Sequence, residues 1–220
     1  MSTQLPLELG HRPALGRADF LLAPCNAEAV AWLDRWPQWP AAALALYGPA
    51  GSGKSHLGRV FAAQSGARVL DPAALATDRI PASLGDAPAA IVDDAERASD
   101  EPLLHLFNFL AERRGHLLVI AREPPARWAI ALADLRSRLL AAPAVALRDP
   151  DDALIGALLV KLFADRQLAV GDEVVQYLVP RLERSFAAAA AAVAALDRAA
   201  LAEQRPITVP LARRVLGLAR

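Results

Sequence analysis

The run Gly48-Pro49-Ala50-Gly51-Ser52-Gly53-Lys54-Ser55 limits what this 220-residue chain can fold into more than any other stretch. It fits the pattern G-x-x-x-x-G-K-[ST] at every fixed position. Glycines let the backbone turn tightly, so that successive N–H groups converge on a phosphate. The lysine can then reach the β and γ phosphates, and the serine hydroxyl can ligate Mg²⁺. Such a loop needs a strand before it and a helix after it, whose N-terminus adds a positive dipole end. Leu44-Ala45-Leu46-Tyr47 supplies a short apolar strand, and the stretch from Lys54 to Gln64 reads as the helix. His56 follows the loop directly and is grouped with the residues that contact a bound nucleotide.

The elements around the loop alternate. Further strands are expected at Ala67 to Leu70, Ala89 to Val92, Leu117 to Ile120 and Ala144 to Leu147. All of them read as apolar, as in a parallel sheet covered by helices on both faces. Asn26 caps a first helix through Ala31, Trp32 and Leu33, which Pro37 and Pro40 stop. Asp71-Pro72 is a helix start, with proline at the first helical position. Ser99, Asp100 and Pro102 start a helix with Leu103, Leu106, Phe107 and Leu110 on one face, and Leu132 to Ala142 is another.

From Asp149-Pro150-Asp151-Asp152 onward the pattern is helical throughout, with Asp149 as the expected cap. Leu154, Leu158 and Leu162 form the expected core stripe of the first of these helices, with Ile155 and Leu159 beside it. Val174, Val175, Leu178 and Val179 mark a second, Arg184 to Glu203 a long alanine-rich third, and Leu211, Val215 and Leu218 a last. The expected division is a flexible tail at 1–16, an α/β nucleotide-binding domain at 17–149 and a small helical lid at 150–220.

Hydrophobic residues make up 55% and charged residues 22%, enough for a substantial core. Net charge is zero, which argues against a surface built mainly for nucleic acid. The lone Cys25 offers no intrachain disulfide, and a reducing cytoplasm is the natural setting. His11, His56, His105 and His116 show no metal-ligand spacing. No basic segment with a following apolar run opens the chain, and the longest apolar stretch, Phe186 to Leu196, is too short to span a bilayer.

A second nucleotide signal reinforces the first. Ile91-Val92-Asp93-Asp94 is an apolar strand ending in acid, the usual partner of a phosphate loop. Asp93 sits at the strand tip, where it can hold the Mg²⁺ hydration shell, so Ser55 and Asp93 are the candidate metal-binding residues. ADP or ATP with Mg²⁺ is the expected cofactor.

With these motifs in place the chain resembles the DnaA-type AAA+ ATPases over nearly its whole length, and most closely the Hda group, the DnaA-related regulatory inactivators, in its alphaproteobacterial form. Gln4, Leu5, Leu7 and Leu9 are similar to that group's Q-L-x-L-x-L sliding-clamp peptide. Phe20 to Ala29 resembles the stretch that packs on adenine. Asp134-Leu135-Arg136-Ser137-Arg138-Leu139 resembles the segment ending in S-R-[FL], which gives Arg138 the position of an arginine finger acting in trans, with Arg136 a weaker candidate. Arg184, in Arg184-Ser185-Phe186, matches the second sensor arginine at the start of a lid helix. The resemblance implies a P-loop AAA+ module with a five-stranded parallel sheet and an all-helical lid. It also implies DnaA and the beta subunit sliding clamp of DNA polymerase III as partners, a cytoplasmic place near the replisome, and edge-to-edge assembly that leaves a homo-oligomer open.

The chain departs from the general AAA+ pattern at two points. Asp94, the candidate catalytic residue after Asp93, stands where most AAA+ ATPases carry glutamate, although DnaA-type proteins also have aspartate there. The fourth strand ends Val119-Ile120-Ala121-Arg122, where a polar residue would orient the attacking water, and neither Ile120 nor Ala121 can do so. Good nucleotide binding with poor hydrolysis is therefore expected. No helix-turn-helix module follows the lid pattern, so sequence-specific DNA binding is not expected. Three functions fit the chain: a regulator that promotes ATP hydrolysis by DnaA, an autonomous ATPase of the loader or remodeller kind, and a non-enzymatic clamp adaptor.

Overall fold

The structure, a computed structural model, describes residues 21–217. Helix α1 (Ala27–Asp34) leads into strand β1 (Ala43–Tyr47), and β2 (Arg68–Leu70), β3 (Ala89–Val92), β4 (His116–Ala121) and β5 (Ala144–Ala146) come after it. They form a parallel sheet in the order β2-β3-β4-β1-β5. Parallel neighbours need crossovers. These run through α2 (Lys54–Ser65), α3 (Ile80–Leu84), α4 (Asp100–Glu112) and α5 (Ala133–Ala141).

Strand alternation explains the two cores. Leu44 and Leu46 of β1 turn to one face, where they meet Leu33 of α1 and Leu57 and Phe61 of α2. Ala43 and Ala45 turn to the other, against Leu106 and Leu110 of α4 and Leu135 and Leu139 of α5. A strand buried on both faces has no place for polar residues, which is why the central strands read as apolar runs. β2 departs from that expectation: Arg68 and Val69 are exposed. It is the edge strand, and an edge arginine discourages pairing with another chain.

Asp71 does act as a cap, accepting a hydrogen bond from the Ala73 N–H at 2.9 Å, but it starts a 3₁₀ turn at Pro72–Ala74 and not an α-helix. The short α3 beyond it carries no periodic signal long enough to read. α4 matches its expected face, with Leu103, Leu106, Phe107 and Leu110 buried. Asp100 there accepts from the Ala131 and Leu132 N–H groups at 2.7 and 3.0 Å, fixing the approach to α5.

The C-terminal part is helical: α6 (Asp152–Asp165), α7 (Asp172–Leu178), α8 (Phe186–Glu203) and α9 (Val209–Leu216). Two expectations need correction. Asp151, not Asp149, caps α6 by accepting from the Leu154 N–H at 2.8 Å. A cap must sit two or three residues before the N–H it serves, and α6 begins only at Asp152. The innermost stripe is Ile155, Leu159 and Phe163, while Leu158 and Leu162 are only partly buried. These pack on Val174 and Leu178 of α7 and on Ala189, Val193 and Leu196 of α8. Leu218, Phe20 and the tail residues Gln4, Leu5, Leu7 and Leu9 lie outside the described residues.

Candidate nucleotide site

The phosphate loop joins β1 to α2 at the carboxyl edge of the sheet. β4 lies on one side of β1 and β5 on the other. This is the switch point where parallel sheets open a crevice for ligands. The Gly48 N–H donates to the Ala121 carbonyl at 3.3 Å. A Cβ on Gly48 would sit 2.2 Å from the Leu147 carbonyl oxygen, so only glycine lets the loop pass there. Gly51 and Gly53 take positive φ values of 78° and 93°, which other residues rarely adopt.

Lys54 is 8% exposed. Its Nζ donates to the Gly48 and Pro49 carbonyls at 2.7 and 2.6 Å and to Ser52 Oγ at 3.4 Å. Burial pushes its pKa down from the ordinary lysine value, while the negative charge of Asp93 pushes it back up. Ser55 is exposed on the first turn of α2. It lines a cavity of about 290 Å³ together with Gly58, Arg59, Val69, Ile91, Asp93 and Ile120. The fold thus brings the two candidate metal-binding residues, Ser55 and Asp93, to one cavity. A cradle of turned glycine backbone, a buried lysine and a hydroxyl sharing a cavity with a carboxylate suits a nucleotide phosphate with Mg²⁺. His56 sits half-buried on the same turn.

Asp93 Oδ1 accepts from the Asp94 N–H at 3.1 Å. Asp94 itself lies in the left-handed region (φ 52°, ψ 42°), a conformation aspartate tolerates better than most residues. Ile120 points at α2: a Cβ on Gly58 would lie 2.6 Å from Ile120 Cδ1. An apolar side chain therefore fills the β4 tip beside Asp93. The Arg122 N–H donates to Glu96 Oε1 at 3.1 Å, and the Arg122 charge adds to the lowering of the Lys54 pKa.

The start of α8 stands directly on the loop. The Phe186 N–H donates to the Gly51 carbonyl at 3.0 Å. A Cβ on Gly51 would meet Ser185 Cβ at 2.4 Å, and one on Gly53 would meet the Phe186 ring at 3.3 Å. Ser185 caps α8 by accepting from the Ala188 N–H at 3.0 Å. A serine before an alanine run is a readable cap, but nothing in the sequence links Ser185 and Phe186 to Gly51. Arg184 immediately precedes this contact. Its Nε and Nη2 meet the Asp152 carboxylate at 2.9 and 3.2 Å.

Residues 152–216, which hold the four C-terminal helices, match the family model described as Hda, lid domain. The match covers the helical part of the chain. The chain's fold is similar to domain III of the Thermotoga maritima replication initiation protein DnaA, with TM-score 0.78 and 18% identity over 94% of this chain and 97% of that one. AMPPCP-bound DnaA from Aquifex aeolicus is similar at TM-score 0.69 and 16% identity, covering 86% of this chain and 66% of that one. An uncharacterized protein of Haemophilus influenzae is 27% identical over 186 residues, 79% of this chain and 80% of its own length.

Other candidate residues lie apart from the loop. Arg138 on α5 pairs with Asp134 one turn earlier, at 2.9 and 3.3 Å, and its guanidinium lies 5.4 Å from the centre of the Phe107 ring. Its side chain is 37% exposed, and Arg136 is exposed on the same helix. In the segment before α1, Asn26 is buried and holds its own neighbours instead of capping the helix. It accepts from the Ala23 N–H and donates to the Leu21 carbonyl, both at 2.9 Å. The Arg148 N–H donates to the Cys25 carbonyl at 3.1 Å, pinning this segment beside the exit of β5. Burial raises the Cys25 thiol pKa, which makes it a poor nucleophile. Among the described residues no cluster of histidine, cysteine and carboxylate groups could hold a metal ion by itself, and no helix is long and apolar enough to cross a membrane.

Proposed function

We propose that this chain is an Hda-like regulator of replication initiation that holds ADP or ATP with Mg²⁺ and promotes ATP hydrolysis on DnaA. The observation that carries the reading is an intact phosphate cradle beside an apolar β4 tip. Gly48 to Gly53 would wrap the phosphates, Lys54 would supply the compensating charge, and Ser55 and Asp93 would hold the metal, which would neutralise phosphate charge. Ile120, which lines the same cavity as Asp93, can orient no water. Asp94 is left without that partner, so intrinsic turnover is slow and the nucleotide serves to hold lid and sheet together.

The catalytic contribution then falls to Arg138. It lies partly exposed on α5, free of the chain's own cradle, where it can be offered to a phosphoryl group held by another subunit. An arginine finger stabilises charge on the transferring phosphoryl and contributes roughly 10³ to 10⁵ in rate. DnaA as the recipient is supported by the lid match and by the AMPPCP that the Aquifex aeolicus relative holds. Gln4, Leu5, Leu7 and Leu9 would dock the chain on the sliding clamp, as an extended peptide of moderate affinity.

The test is DnaA ATP hydrolysis in the presence of DNA-loaded clamp. This protein should stimulate it. Arg138→Ala should abolish stimulation while keeping the melting temperature, and Gln4→Ala with Leu5→Ala should abolish it only where the clamp is required. Full stimulation by Arg138→Ala overturns the finger assignment. Strong turnover by the protein alone, lost in Asp94→Asn, would favour an autonomous ATPase.

A further inference from the structure

Arg184, two residues before α8, pairs with Asp152, the first residue of α6. The carboxylate takes one edge of the guanidinium side-on, Nε at 2.9 Å and Nη2 at 3.2 Å. Arg184 precedes the residue whose Cβ packs on Gly51, so its backbone stands one residue from the loop contact. A phosphate oxygen pair and a carboxylate present the same acceptor geometry to arginine and cannot both use the same two donors. We propose that Asp152 is a built-in competitor for Arg184: it holds the guanidinium against the lid and sets the affinity of the site for nucleotide phosphates. This inference rests on the nucleotide reading of the loop and adds to it a residue that tunes binding.

The pair is poised for exchange and not locked. Asp152 is 50% exposed and Arg184 63%, so solvent screens their attraction and a phosphate can replace the carboxylate at small cost. Asp152 is not needed as a cap, because Asp151 serves α6. Its remaining structural role is a weak favourable interaction with the α6 dipole.

The experiment measures the affinity of full-length wild type, Asp152→Asn, Arg184→Ala and the double variant for ADP, by titration calorimetry. Thermal unfolding without nucleotide checks that each variant folds. Asp152→Asn should tighten ADP binding by about 2- to 5-fold, the span expected for releasing an exposed ion pair. Arg184→Ala should weaken binding, and adding Asp152→Asn to it should change nothing further. Unchanged or weaker binding in Asp152→Asn overturns the proposal, as does equal tightening in the Arg184→Ala background, which would make Asp152 a general repulsive charge. A wild type that binds no ADP overturns the nucleotide reading itself, and this inference with it.

Discussion

Lys54 is held where burial and charge oppose each other. Burial lowers its pKa while Asp93 supports the protonated form, and two loop carbonyls fix its Nζ. Lys54→Met should therefore lose ADP binding, checked by the disappearance of ADP-induced thermal stabilisation. His116 makes a second prediction. Its ring lies 5.3 Å from that of Trp39 and 6.4 Å from that of Trp36, and burial lowers its pKa below the ordinary 6.5. The folded protein keeps it neutral, so the unfolded chain takes up a proton at higher pH. Above pH 6.5 the group leaves stability unaffected, and as pH falls below 6.5 toward the lower folded value the fold loses stability. Denaturant unfolding at about pH 7.5 and about pH 5.5 should show a larger acid loss for wild type than for His116→Gln.

The contact between α8 and the loop is the element that makes lid and sheet one site. Gly51 combines a φ of 78° with a Ser185 Cβ that would lie 2.4 Å from its own. Gly51→Ala should lower the melting temperature and speed proteolysis of the lid, since both strain and clash must be relieved by moving α8. Ser185→Ala loses the cap and should cost about 1 kcal/mol of unfolding free energy, read by denaturant titration. Leu159→Ala, at the centre of the lid core, should cost about 2–5 kcal/mol by the same measurement. Element by element, legibility tracks signal length. α4 shows one clear face and reads residue for residue. α6 carries apolar side chains at 154, 155, 158, 159, 162 and 163, so several stripes are equally good in sequence. Which of them turns inward is decided by where α7 and α8 sit, not by the helix. α3 spans only five residues, too short to show a period.

At the scale of the molecule, a ligand that binds only the closed arrangement stabilises all of it. ADP at 100 times its dissociation constant should raise the unfolding free energy by about 2.7 kcal/mol, and Lys54→Met should abolish the shift. The sequence by itself determined the strand–loop–helix unit, the alternation that makes a parallel sheet, and the helical character after residue 150. These come from local rules: glycine conformations, apolar runs and periodicity are properties of neighbouring residues. The sequence also named Lys54, Ser55 and Asp93, but it could not say that Ser55 and Asp93 share a cavity with Ile120. Only the tertiary structure decided that Asp152 holds Arg184, that Phe107 lies against Arg138, and that Ser185 stands on Gly51. The Asp152–Arg184, Phe107–Arg138 and Gly51–Ser185 contacts join groups far apart in the chain, and the packing of the layers sets their distances; no local pattern encodes them.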